Sequence, residues 1–271
     1  RLLGRPVTVA DGSAATSGLL LALLLPATMP AYMVVVATVL GIIVGKQCFG
    51  GLGCNPLNPV LVGYAILRIT EPWSGYLDFD LALVIYDVGF SKEYPEAVFR
   101  TLGASGLADF DLLDLFLGRQ TGGIGSSQIA WLLLGGVFLV LRGTIRWLIP
   151  AGFLAGVVLT ATALHAADGE AYAGALFNLV VGNVMIGAFF LATDHSSSPV
   201  SRWGLVVYGL GGGMLTVALR AWSAYSGATI FAILVMSIFV PLLDRLRPRA
   251  LPPPPEVAPG AVVVAPPREV G

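Results

Sequence analysis

The sequence predicts an all-α polytopic membrane protein, and three observations carry that prediction. Of 271 residues, 56% are hydrophobic and only 11% charged, with mean hydropathy +0.84; soluble domains hold about half apolar residues and about a quarter charged. The apolar residues gather in runs that approach the roughly 20 needed for a helix to cross a bilayer. Most of the charges fall in the connections between those runs. A net charge of −1 and the lack of a basic face exclude a nucleic-acid partner.

Six runs read as spans: Met33–Val44 (starting near Pro30), Gln128–Leu141, Leu148–Leu164, Ala173–Leu191, Trp203–Ala221 and Thr229–Leu243. Two more are short or interrupted. Ser17–Leu25 ends at Pro26 with Pro30 close behind, and Pro56–Ile69 starts in the knot Phe49–Pro59, "FGGLGCNPLNP". Both read as discontinuous or re-entrant half-helices, which brings the total to about eight membrane segments. "SGLLLALLLPATMP" from Ser17 echoes "SGATIFAILVMSIFVP" from Ser226, the kind of weak match that an inverted repeat leaves.

The chain divides accordingly. Residues 1–70 hold the N-terminal membrane segments and the knot. Residues 71–127 form a loop with nine acids against three bases. Residues 128–247 form a five-helix membrane region, and the proline-rich stretch 248–271 reads as disordered. Basic connections stay cytoplasmic. Arg142, Arg146 and Arg245 therefore face inward with the C-terminus, the acidic loop and His165–Glu170 face outward, and Lys46 faces inward provided both short segments cross. The opening "RLLGRPVTVADGS" has no signal-peptide pattern.

Irregular backbone at membrane depth survives only when buried in protein or lining a cavity. In the knot, Asn55 reads as the N-cap of a helix starting at Pro56, because proline suits a first turn. Its free N–H groups then face the interior and attract anions or polar groups; a tight turn without a ligand explains the same residues. Asn58 belongs to the same candidate pocket. Asp194 and His195 stand at a membrane boundary, where an acid lines an ion path or caps a turn with Ser196–Ser198. Asn178 and Asn183 lie within a span, and Asn183 with Gly182 and Gly187 suggests close helix contact or a pathway. Gly211–Gly213 follows no strand, so it is a packing or flexible point and no dinucleotide fingerprint. Cys48 and Cys54, the only cysteines, read as buried free thiols. They make neither a disulfide framework nor, from this chain alone, a four-cysteine iron–sulfur set. No Ser–His–Asp arrangement or zinc site is recognisable.

"GKQCFGGLGCNPLNPVLVGYAILRI" resembles the RnfD/NqrB family, related membrane subunits of the Rnf complex and of the sodium-pumping NADH:quinone reductase. That family carries a K-x-x-x-G-G-x-G-x-N-x-x-N-P signature. "DGSAATSGLLLALLLP", "LFLGRQTGGIGSSQIAWLLLGG", "GAFFLATDHSSSPVSRWG" and "IFAILVMSIFVPLLDRL" are similar to further family segments in the same order, from about Ala10 to Arg247. Family members usually carry two more helices upstream. The resemblance implies a multi-pass subunit in the inner (plasma) membrane of a prokaryote, assembled with other membrane subunits. Such complexes couple electron flow to movement of sodium or protons.

The resemblance also implies FMN, bonded through its phosphate to a threonine in the motif D-x-x-[ST]-G-A-T. The matching stretch here is Phe99–Ser105, "FRTLGAS". Gly103 and Ala104 are kept and Ser105 takes the acceptor place, but Phe99 replaces the acid and Leu102 the hydroxyl residue. Those losses argue against recognition by a flavin transferase and leave non-covalent flavin open. A literal "SGAT" at Ser226–Thr229 opens the last span, where Ser226 as a helix N-cap explains it. The expected function is a flavin-linked electron relay within a redox-driven ion pump. A small-solute or ion transporter of the same fold, or a scaffold subunit, are the alternatives.

Overall fold

A computed structural model describes residues 12–50, 55–74, 93–103, 106–107, 110–223 and 227–246. Among these there are helices and no strands. In chain order they are α1 (Ser13–Leu24), α2 (Ala31–Gly45), α3 (Pro59–Ser74), α4 (Pro95–Leu102), α5 (Leu112–Phe116), α6 (Ile129–Leu141), α7 (Leu148–Ala167), α8 (Ala175–Val180), α9 (Val184–Ile186), α10 (Arg202–Trp222) and α11 (Ala228–Leu243). A π-helical turn, Gly187–Leu191, continues α9. With α8, α9 and that turn taken as one interrupted segment, the described residues hold eight apolar helical segments. Ala31–Phe49, Leu148–Ala167 and Arg202–Trp222 are long and apolar enough to cross a bilayer, and α1, the apolar part of α3, α6 and α11 are shorter. Large side chains such as Val35, Trp131, Leu134 and Phe239 are exposed along the outside, as lipid-facing surfaces require.

Backbones approach closely where glycines recur every four residues. Gly152 and Gly156 of α7 face Gly209 and Gly213 of α10, the most extensive helix pair among the described residues. A methyl group added at Gly213 would overlap the Phe153 carbonyl oxygen, and one at Gly156 that of Leu210. Gly41 and Gly45 bring α2 onto α3 in the same way, with Gly41 against the Pro59 carbonyl. Lipid tails are as apolar as leucine, so contact and close packing hold such helices together rather than exclusion of water. The triplet Gly211–Gly213 is thereby a packing feature.

α1 has 12 residues, about 18 Å at ~1.5 Å per residue, short of the ~30 Å hydrocarbon core. Its last carbonyls are not left bare. The amides of Gly125 and Ser126 donate to the Leu23 carbonyl at 2.9 and 3.1 Å, and that of Ile124 to Leu25 at 3.0 Å. The loop "TGGIGSS" fits there because glycine stands at its contact points: a Cβ at Gly123 would lie 2.5 Å from the Leu24 carbonyl oxygen. The half-helix read from Pro26 is thus completed by a second irregular segment.

Three expectations are corrected. Ala173–Leu191 is not a continuous span. It breaks at Val181–Asn183, where Val181 is extended and Gly182 takes φ +70°. Only glycine adopts that conformation without cost, which is why the break falls there. Cys48 is exposed, because its 3₁₀ turn, Gln47–Phe49, projects past the end of α2; Cys54 lies outside the described residues. Gly227, at φ +90°, precedes α11 without a side-chain cap, and Ser226 lies outside the described residues.

Gly213→Ala is expected to force α7 and α10 apart and to cost about 1–3 kcal/mol, read as a lower unfolding midpoint in detergent. Gly211→Ala meets only the flexible tip of Met236 and is expected to cost much less. Equal losses would show that backbone proximity is not what joins the pair.

Candidate functional site

Lys46, at the end of α2, donates to the Ser13 hydroxyl at the start of α1. The two helices therefore run antiparallel, and one end of the bundle can be identified by Lys46. The lysine also sits where the α2 dipole favours a cation. A cavity of about 420 Å³ opens at this end, lined among others by Lys46, Asn55, Asn58, Phe189, Asp194 and His195. Three of the four pocket candidates from the sequence, Asn55, Asn58 and Asp194, thus converge.

Their polar groups are partly engaged. The helix of the knot begins at Pro59, and Asn58 is its cap: its Oδ1 accepts from the Val60 amide at 2.9 Å. Asn55, expected in that role, turns its Nδ2 to the Leu57 carbonyl at 3.3 Å. "NPLNP" offers two Asn-Pro pairs, and both obey the same capping rule. The second is used because only Asn58 also reaches across the molecule, where its Nδ2 donates to the Leu191 carbonyl at 3.2 Å. That bond ties α3 to the π turn. Asp194 accepts from the hydroxyls of Ser196 and Ser197, and His195 is exposed.

Asn183 lies apart. It is buried near Gln120, Gly123, Ser127 and Tyr94, around the break in the interrupted segment. There the chain exposes carbonyls that no helix satisfies. Arg220, inside α10, donates to the carbonyl and side-chain oxygens of Asn178 at 2.9 and 3.2 Å and to the Val181 carbonyl at 2.6 Å. Gln120 donates to the Val180 carbonyl at 2.9 Å. The Arg220 Nε stands 3.6 Å from a Glu96 oxygen, with both side chains at least nine-tenths buried. The other Glu96 oxygen accepts from the Tyr94 hydroxyl at 2.8 Å. Burial pushes the Tyr94 phenol well above its ordinary range, and the Glu96 carboxylate adds to the effect.

At this Glu96 end a second cavity, about 240 Å³, is lined by Glu96, Phe99, Gly103, Tyr172, Phe177 and Arg220 among others. Gly103 ends α4 at φ +65°. Ala104 and Ser105 lie outside the described residues. Thr229 is sealed in the bundle, 1% exposed and packed on Gly187. Among the described residues no group of three His, Cys, Asp or Glu could hold a metal ion.

Arg220 and Gln120 were missed from sequence. Arg220 carried a usable signal, since a charge inside an apolar span marks a buried partner or a pathway. Gln120 carried none.

Asn58→Ser keeps a capping oxygen but cannot reach Leu191; Asn58→Ala loses both bonds. The cap is worth about 1 kcal/mol and a stranded buried carbonyl about 1–3 kcal/mol. Thermal midpoints are expected to fall in the order wild type, Ser, Ala; an Ala variant equal to wild type would remove Asn58 from the framework.

Residues 1–251 match the family described as "NQR2, RnfD, RnfE family". The chain is 36% identical over 247 residues to the D-type subunit of the Na(+)-translocating ferredoxin:NAD(+) oxidoreductase complex of Acetobacterium woodii, covering 90% of this chain and 74% of that one. It is 38% identical over 250 residues to the D-type subunit of the ion-translocating oxidoreductase complex of Alcanivorax borkumensis, covering 86% and 73%. With the same component of the Stutzerimonas stutzeri complex it shares 35% over 279 residues, covering 92% and 78%. A match of this extent, on an all-helical bundle with interrupted membrane segments, makes the chain a member of the NQR2, RnfD, RnfE family.

Proposed function

We propose that this chain is the membrane-embedded relay subunit of an Rnf-type complex that uses electron flow to move ions. One observation carries the reading beyond family membership: the two cavities lie at opposite ends of the same interrupted segment. Phe177 and Asn178 at its start line the Glu96-end cavity, and Phe189 and Asp194 at and just beyond its finish line the Lys46-end cavity. A span broken between two polar cavities suits a protein that couples events on the two faces of a membrane.

The Glu96-end cavity is the proposed flavin site. Its walls include Phe99, Tyr172 and Phe177, and Arg220 and Asn178 supply polar groups. That donor set fits a planar, partly polar ring. Its volume is below the ~300–1,000 Å³ of whole-ligand pockets, so it suits the ring portion, with the remainder leaving past Gly103. A flavin supplies the redox chemistry; the protein positions it and sets its electrostatics. The Lys46-end cavity, with Asn55, Asn58 and Asp194, is the proposed ion vestibule. Sodium, named for the A. woodii relative, is the first ion to test and the proton the second. Other membrane subunits supply the electron donor and acceptor. The basic residues Lys46, Arg142 and Arg146 support a cytoplasmic Lys46 end and C-terminus in a prokaryotic inner membrane.

Two measurements test this. Denaturing gels of the purified protein, with peptide mass mapping, are expected to show flavin fluorescence at Ser105 if the degenerate motif is esterified; extraction of native protein recovers it if it is held non-covalently. No flavin by either route leaves a transporter or scaffold, which the losses at Phe99 and Leu102 would then favour. In a Cys54→Ser background, Cys48 is expected to react with an impermeant maleimide in inverted vesicles and not in intact cells; the reverse pattern inverts the topology.

A further inference from the structure

We infer that Arg220 is a positioning residue that couples the charge state of the Glu96-end cavity to the backbone break in the interrupted segment. The inference rests on the flavin reading above and adds to it the element that responds.

One guanidinium performs two tasks. Its terminal nitrogens hold the Asn178 and Val181 carbonyls, so they fix the stretch that leads from α8 into the break at Val181–Asn183. The same side chain lines the cavity and pairs there with Glu96 of α4, the helix that ends at Gly103. Its position is narrowly set. A Cβ at Gly182 would lie 2.5 Å from an Arg220 nitrogen and 3.2 Å from a Glu96 oxygen. Gly182 therefore leaves room for the fork at the carbonyls and none for a side chain of its own. Val181 and Gly182 are the residues whose dihedrals would absorb a change.

With Glu96 ionised, Arg220 is balanced. An electron delivered to the cavity by the complex's low-potential donor, before passing to the next carrier, adds a negative charge beside the guanidinium. In an interior screened less than water, that charge attracts Arg220 strongly. The guanidinium then turns to the cavity and away from the carbonyls. The Asn178 and Val181 carbonyls loosen, while Gln120 retains Val180. The break becomes the element with two states that redox coupling requires. Arginine is needed for this because its planar fork holds several acceptors at once, which a lysine ammonium does not do.

The experiment uses the assembled complex. Hydrogen exchange of amides 178–187 is followed with the complex oxidised and after dithionite reduction, in wild type, Arg220→Lys and Glu96→Gln. In wild type, reduction is expected to speed exchange roughly tenfold or more, the scale on which losing one charge-assisted hydrogen bond shifts a local opening. In Arg220→Lys the segment is expected to exchange fast in both states, and the ions moved per electron to fall while flavin content holds. Glu96→Gln, closer in shape, keeps the protein folded if the lysine variant does not. It is expected to shrink the redox difference, since the resting balance at Arg220 is changed. Flavin present with no redox difference in wild type overturns this inference alone, as does a full redox difference surviving in both variants. Absence of flavin overturns the flavin reading and this inference with it.

Discussion

A peptide carbonyl placed in an apolar interior must find a donor, and this bundle is organised around places where helices fail to provide one. Unpaired, each such group costs several kcal/mol in the absence of water. The break at Val181–Asn183 is one such place. Its carbonyls are served by two side chains from distant parts of the chain, Arg220 and Gln120. The end of α1 is served by backbone amides of the loop at 124–126. The start of α3 is served by Asn58, which also reaches the π turn. These repairs join α1, the loop at 120–126, α3 and the interrupted segment into one framework, so the elements that line the cavities at its ends are linked to one another.

The glycine contacts work beside this framework. α7 packs on α10 through backbone approach, which leaves the pair rigid and places Arg220 at a fixed depth. α10 can then present a long charged side chain to the break without the helix itself adapting. The buried pair with Glu96 adds cost as well as attraction, because both ions give up water. Its use is to define where the guanidinium stands, and the Tyr94 hydroxyl on the second Glu96 oxygen completes that definition.

Much of the architecture was legible in the sequence because lipid imposes few solutions. Apolar runs gave the segments, proline at 26 gave the short α1, and the knot announced irregular backbone that had to be internal. Asn55 and Asn58, read together from the knot, and Asp194, read from another stretch, meet at one cavity. The misses have physical causes. Ala173–Leu191 read as continuous because a single glycine inside an apolar run is an ordinary packing residue in membranes; only the donors from Arg220 and Gln120 make a break tolerable there. The register of "NPLNP" depended on a carbonyl 133 residues away. Arg220 was visible as a charge in a span, but its partners were not. Asn183, read as a close helix contact or part of a pathway, lies at the break and away from the cavity of the other three.

The loop that completes α1 also sets a condition on how the protein is made. Leu23 and Leu25 depend on amides at 124–126, about 100 residues further along the chain, which a ribosome adds in roughly 5–20 s. During that interval α1 is in or near the membrane with its last carbonyls unserved. The nascent segment has to be held at the insertion machinery or at the interface until the chain has been made as far as residue 126 and returns to it. Maturation of the first half therefore waits on delivery of the second.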